Sequence, residues 1–220
     1  MENHLFEQKQ IKELKEQLQA LGQDLMVLEG SPELVLPNIV DRFSIDHVTT
    51  SFTPGCYEKQ AITFLEQKLP ATLSVFRGST LFDAEQFPFE MADLPDTFSP
   101  FRRKVEKLNI SGPLAAPSTL PPPPSAQFDA IPRAAASPHP GLPLPGGSTA
   151  GLRRLDQFLF HTHAIADYKQ TRNDLDGLSG SSTLSPWLAG GALSARTVAH
   201  AIFRYEREHV ANDSTYWLYF

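Results

Sequence analysis

The sequence predicts an α/β block, a partial parallel sheet with flanking helices, followed by a Pro-rich linker and the opening helices of an all-α block. Two observations carry this reading. Residues 5–76 alternate segments of helical periodicity with short β-branched or apolar runs, the order that builds a parallel sheet through helical crossovers. Of the 19 prolines, 11 fall between Pro113 and Pro145, and apolar residues return beyond them at helical spacing. The expected division is an α/β domain over residues 1–108, a linker over 109–147 and a helical block over 148–220.

The elements follow in order. Ile11, Leu14, Leu18 and Leu21 recur at helical spacing over residues 5–21, and Gly22 stands where a helix ends on a left-handed residue. Leu25-Met26-Val27-Leu28 is a short apolar run, as in a strand buried on both faces. Ser31-Pro32-Glu33 starts a second helix, cap first and Pro at the first helical position, and the helix runs to Phe43. Residues 47–52 are a second strand, 57–69 a third helix and 72–76 a third strand. Three strands are few for such a sheet, and a helix comes first, so the chain is expected to begin inside a domain.

Residues 83–108 read as loop with a short helix near 102–108. Residues 110–147, centred on Pro121-Pro122-Pro123-Pro124, read as an extended, polyproline-like linker; a ligand for an SH3- or WW-like partner is the other use of such a segment. Residues 150–160 form a helix with Leu152, Leu155, Phe158 and Leu159 on one side. Residues 188–208 form one helix or two, with Val198, Ala201, Ile202 and Tyr205 in a stripe.

Composition narrows the function classes. The single Cys56 excludes an internal disulfide framework and fits a reducing compartment. No apolar run is long enough for a transmembrane helix, and the charged N-terminus does not read as a signal peptide. Residues 1–100 carry a net charge of −9, residues 101–150 carry +3, and residues 151–220 balance. The first block is therefore a poor nucleic-acid surface. No nucleophile motif and no Gly-Lys-Ser/Thr phosphate loop is present, so no catalytic residue is assigned.

The most informative stretch is 167–192. Hydroxyl residues crowd positions 179–185, then Pro186 opens an apolar, helix-like run. Ser185 stands at the expected N-cap and Pro186 at the first helical position. Hydroxyls beside the free N–H groups of a helix start make an anion site, or simply a well-capped helix. Tyr168-x-x-Thr171-Arg172-Asn173, then Ser181-Ser182-Thr183-Leu184-Ser185-Pro186-Trp187-Leu188, then Gly191-Ala192-Leu193-Ser194 resemble the photolyase/cryptochrome family, in particular its DASH branch. Gly78-Ser79-Thr80-Leu81-Phe82, Leu94-Pro95-Asp96-Thr97-Phe98-Ser99-Pro100-Phe101-Arg102-Arg103-Lys104 and Asn212-Asp213-Ser214-Thr215-Tyr216-Trp217-Leu218 extend the resemblance, in the family's order, over nearly the whole chain.

The resemblance implies an FAD-dependent blue-light photoreceptor, or a photolyase that splits cyclobutane pyrimidine dimers in single-stranded DNA. It makes residues 1–108 part of an antenna domain and residues 148–220 the start of an FAD-binding domain. Tyr168, Ser181, Ser182, Thr183, Leu184 and Ser185 match the family's FAD contacts, Leu184 through its backbone N–H. Arg172 matches an Arg near DNA phosphate; a solvated helix-end Arg is the other reading. Glu58 lies roughly where the family sets a carboxylate against the pterin of a methenyltetrahydrofolate antenna, although Gly55-Cys56-Tyr57-Glu58-Lys59 departs from the usual pattern and a capping or surface Glu fits as well. Family chains usually carry Glu after the Gly-Gly pair; here Ser148 stands there.

The family also opens on a Trp-Phe-Arg type strand and continues into flavin helices that this sequence lacks. The 220-residue chain is accordingly expected to be an inactive fragment that does not retain FAD. A non-enzymatic light receptor acting through signalling partners is the rival, and a Pro-rich interaction fragment the third reading. No metal is expected: His161 and His163, two apart on a helix, face different ways, and Asp174 and Asp176 read as loop residues. The compartment is not legible in the sequence.

Overall fold

The computed structural model describes residues 4–124, 144–173 and 181–210. The helices are α1 (His4–Ala20), α2 (Pro32–Phe43), α3 (Cys56–Lys68), α4 (Phe98–Val105), α5 (Ser148–Asp156), α6 (Tyr168–Thr171), α7 (Ser185–Ala189) and α8 (Ala195–His209); the strands are β1 (His47–Ser51) and β2 (Thr72–Phe76). The chain forms two compact units, one of residues 26–80 and one made from residues 1–25 together with 81–220.

In the 26–80 unit, β1 and β2 pair in parallel with His47 opposite Thr72 and Ser51 opposite Phe76. α3 is the crossover between them, so β1, α3 and β2 form one βαβ unit, as the alternation predicts. Ser31 precedes α2 with Pro at its first turn, and α2 ends at Phe43 through Ser44 in the left-handed region at φ +50°. Val40 of α2 and Leu65 of α3 are the buried side chains of these helices.

Leu25-Met26-Val27-Leu28 is not a strand: among the described residues the sheet contains β1 and β2 alone. The backbone of Leu25 is engaged elsewhere. Its N–H donates to the Asp24 carboxylate at 2.7 Å, and its carbonyl accepts from Lys15 Nζ at 3.0 Å. Lys15 also pairs with Asp24 at 2.9 Å, and these donors, Lys15 first, hold the Asp24 carboxyl below its usual range.

The other unit holds the larger core. Leu155, Phe158, Leu159, Ile165, Leu184, Trp187, Leu193, Val198, Ile202 and Tyr205 form one buried cluster. The α8 stripe is as the spacing predicts, with Val198, Ile202 and Tyr205 buried and Ala201 packed against the cluster. α8 is capped by Ser194, whose Oγ accepts from the Thr197 N–H at 3.0 Å. α5 passes into a π-helical turn over Gln157–His161, and its buried face centres on Gly151, Leu155, Phe158 and Leu159. Leu152 falls on the flank of that face and is 48% exposed. α4 begins at Phe98, four residues before the expected start, because Pro100 sits in the first turn, where its missing N–H has no intrahelical acceptor to lose. Residues 109–124 form neither helix nor strand, and the linker portion 125–143 lies outside the described residues. His200 Nε2 lies 3.0 Å from the Ile110 carbonyl, and Arg196 forms a two-pronged pair with Asp83 at 2.9 Å on each oxygen.

α1 joins this unit through both ends of its chemistry. It closes as the Gly22 reading predicts: Gly22, at φ +76°, donates to Gln19 and Gln23 donates to Leu18, the paired bonds of a Schellman ending. Glu13, in mid-helix, supplies the N-terminal cap of α5. Its Oε1 accepts from the Thr149 N–H at 3.0 Å, from Ser148 Oγ at 3.1 Å and from Thr149 Oγ1. Gly147, at φ +101°, leaves the space a side chain would fill against that carboxylate. Desolvation pushes the Glu13 carboxyl up, but the donors from Thr149 and Ser148 outweigh it and hold it below its ordinary value of 4.5.

A carboxyl depressed in the folded state contributes stability above its unfolded pKa, and that contribution fades as pH falls through the folded value. Glu13→Gln is therefore expected to lower unfolding free energy at neutral pH by about 1 kcal/mol, the ordinary loss of an N-cap. The gap between the two proteins should close below about pH 4.5. Urea melts at a series of pH values read this directly; a gap independent of pH would remove Glu13 from the cap.

Candidate functional site

The hydroxyl-rich loop is built from the core outward. α5 can pass close to Trp187 because position 151 is Gly: a Cβ there would lie 2.9 Å from the indole Cγ and Cδ1 and 3.0 Å from Leu193 Cγ. Trp187 is 1% exposed and meets Phe6 of α1 edge-on at 5.6 Å. Leu184, also 1% exposed, is the second apolar anchor of the segment. Its carbonyl accepts from the N–H groups of Trp187 and Leu188, both at 3.1 Å. Residues 181–183 must therefore run along the core edge with their backbone polar groups satisfied locally.

Arg154 of α5 satisfies them. Its Nη2 donates to the Ser181 carbonyl at 2.7 Å, and its Nε donates to the Ser182 carbonyl and to Thr183 Oγ1, both at 3.0 Å. Thr183 Oγ1 in turn donates to the Ser182 carbonyl at 2.7 Å, and the Thr183 N–H donates to Ser181 Oγ at 3.2 Å. Partial burial lowers the Arg154 pKa, but a guanidinium remains cationic. Thr183 holds φ +55°, a left-handed conformation uncommon outside Gly, and Leu184 follows in the right-handed region at φ −80° and ψ −14°. In a trans peptide the N–H points opposite to the preceding carbonyl. With the Ser181 and Ser182 carbonyls turned to Arg154, the N–H groups of Ser182 and Thr183 point away from it, that of Thr183 onto Ser181 Oγ.

One expectation is corrected here. Ser185 is the first residue of α7, not its cap; Leu184 takes the cap position and the cap has no side-chain bond. Leu184 already has helical φ and ψ, so the chain enters the helix one residue early and Ser185 is left exposed on the first turn.

The structure gathers some of the predicted residues. Ser181, Ser182, Thr183, Leu184 and Ser185 form one continuous loop and helix start. Tyr168 opens α6, half-buried, with its ring edge-on to Phe158 at 5.8 Å. Arg154 lies over the other partner in that contact, its Cζ 5.9 Å from the Phe158 ring centre. Tyr168 and the hydroxyl loop are thus tied to the same side chains of α5 and its π turn. Arg172 is exposed at the end of α6, its N–H donating to the Tyr168 carbonyl at 2.9 Å. Glu58 belongs to the 26–80 unit, exposed in the first turn of α3 with its carboxylate folded back over Gly55. His161 pairs with Asp156 at 2.9 Å, while His163 Nδ1 lies 3.2 Å from the Tyr205 hydroxyl. Asp174 and Asp176 fall outside the described residues.

A cavity of about 450 Å³ adjoins the loop on the Arg154 side, walled by Leu144, Phe158 and Trp187 with Arg153, Arg154 and Thr183 as polar lining. The buried Trp187 Nε1 meets no hydrogen-bond acceptor among the described residues. Sequence reasoning missed Arg154 and Glu13. Both are charged residues on otherwise amphipathic helices, and no spacing signal distinguishes them from solvated neighbours.

Comparison with known proteins finds relatives over nearly the whole chain. The profile of the DNA photolyase family matches residues 2–124. The chain is 36% identical to "Cryptochrome DASH" of Synechocystis sp., an alignment covering 98% of this chain and 46% of that protein. It is 35% identical to "Cryptochrome DASH" of Idiomarina loihiensis, covering 98% of this chain and 48% of that one. The crystal structure of a Synechocystis cryptochrome superposes with a TM-score of 0.85 at 37% identity, over 97% of this chain and 47% of that chain. The chain spans about half the length of the curated relatives it matches.

The Gly151–Trp187 contact supplies a test of how the loop is seated. Gly151→Ala puts a methyl group into the indole, and the expected loss is about 1–3 kcal/mol, the range for overpacking a core. Chemical denaturation followed by Trp fluorescence reads it; an unchanged or raised midpoint would show that α5 and Trp187 do not meet as described.

Proposed function

The chain belongs to the DNA photolyase family, and from that premise we propose that the whole protein has a DASH-type cryptochrome function: an FAD-dependent blue-light photoreceptor and/or a photolyase that repairs cyclobutane pyrimidine dimers in single-stranded DNA. The observation that carries the cofactor reading is the polarity of the loop: its Ser181 and Ser182 carbonyls are turned to Arg154, which turns the Ser182 N–H away from it. The donor set fits the diphosphate and ribityl chain of FAD. Serine and threonine hydroxyls are short, neutral, and both donate and accept.

In this reading Ser181, Ser182, Thr183 and Ser185 hold the diphosphate and ribityl oxygens, Leu184 contributes its N–H, and Tyr168 adds a phenol. Bound FAD would supply light-driven electron transfer, and the protein's part is to hold and orient it. Residues 148–220 open the flavin domain, after an antenna domain over 1–108 and the 109–147 linker. Arg172, exposed one turn beyond Tyr168, faces DNA phosphate. Glu58 serves a methenyltetrahydrofolate antenna in the 26–80 unit. Among the described residues no helix is long and apolar enough to cross a membrane.

The experiment compares FAD with riboflavin, which has the same ring system but no diphosphate. With isotope-labelled protein and FAD in large excess, since the 220-residue chain is not expected to retain it, FAD is expected to shift the amide resonances of residues 181–185 in a saturable way, and riboflavin to leave them in place. Equal responses to both, or an FAD response confined to other residues, would end the diphosphate assignment. In the whole protein, light-dependent dimer splitting supports the repair role, and light-dependent partner binding without splitting supports signalling.

A further inference from the structure

We propose that Arg154 is the positioning residue of the cofactor loop: its guanidinium fixes the Ser181 and Ser182 carbonyls and the Thr183 hydroxyl on one side, so that the loop turns its Ser182 N–H to the other. The inference rests on the cofactor reading of residues 181–185 and adds a residue that lies outside them, on α5.

The geometry is specific to a guanidinium. Three acceptors on three successive residues are met by two nitrogens of one planar group, Nη2 on Ser181 and Nε on both Ser182 and Thr183. A Lys ammonium carries its charge at a single point and lacks the fixed fork, so it cannot hold the same three acceptors in one plane. The side chain is itself held: α5 is pinned at its start by Glu13, its backbone lies against Trp187 at Gly151, and Phe158 lies beneath the guanidinium. Phe158 also carries Tyr168, so a movement of Arg154 is felt at both halves of the proposed site. Thr183 is the sensitive point. Its left-handed φ of +55° is unfavourable for a β-branched residue, and it persists because its hydroxyl and the peptide that precedes it are tied down.

The test uses the 220-residue chain with Arg154→Lys, which keeps the charge and the aliphatic stem, and Arg154→Met, which keeps only the stem. Hydrogen exchange is followed at the Thr183 amide and at the Ile202 amide, which reports the core. In both variants Thr183 is expected to exchange about tenfold faster or more, the scale of losing hydrogen bonds to a charged group, while Ile202 changes little. The FAD concentration for half-saturation of the loop shifts should rise by about tenfold in Arg154→Lys, with the riboflavin response unchanged. Unchanged Thr183 exchange in both variants, or a loosened loop that binds FAD as before, overturns the proposal. Equal acceleration at Thr183 and Ile202 also overturns it, since Arg154 would then act on stability alone. If wild-type loop amides ignore FAD, the cofactor reading falls, and Thr183 exchange alone decides whether Arg154 holds the loop.

Discussion

The helical unit depends on one steric permission: Trp187 can lie against the backbone of α5 because residue 151 has no side chain. That contact brings α7 under α5, sets Leu184 in the core and draws the preceding residues along the edge of α5. Every polar demand of the loop follows from it. A chain forced to run beside an apolar core must satisfy its carbonyls within reach, and the reachable donor is one turn further along α5, at Arg154. Packing comes first here, and hydrogen bonding completes an arrangement that packing has already chosen.

α5 is consequently held by charge at two places, an acid at its start and a base in its last turn. Glu13 answers the unpaired N–H groups of the first turn, which carry partial positive charge. Arg154, in the last turn, sits where a cation complements the opposite end of the helix dipole. The same nine-residue helix thus offers its N-terminus to a carboxylate from α1 and its C-terminal turn to the hydroxyl loop. The π turn that follows swings Phe158 under Arg154 while Leu159 remains in the core.

Local chemistry made much of the fold readable. Gly22 ends α1 and Ser31-Pro32 starts α2 because those residue types answer needs met within four or five positions. The parallel pairing of β1 with β2 follows from the helix between them. Leu25-Met26-Val27-Leu28 misled because an apolar run reports burial, and Lys15 and Asp24 claim the Leu25 backbone from outside the run. Ser185 misled by one residue because its left neighbour is already helical. For the site, residues 181–185 were visible as a cluster of hydroxyls. Arg154 was not, since its partners lie 27 to 29 positions away and the adjacent Arg153 looks the same in sequence. Glu13 was still further from view, its partners being 135 and 136 positions on.

That last separation governs the order in which the molecule can assemble. α1 is synthesised well before its partner: the N-terminus it caps is made 136 residues later. At about 5–20 residues per second, a nascent α1 waits roughly 7 to 27 seconds before Ser148 and Thr149 exist. Through that interval its apolar face has no finished partner, and a lone helix of 17 residues is marginal in water. An early segment is therefore among the last to settle, and a nascent-chain chaperone would meet α1 before α5 does.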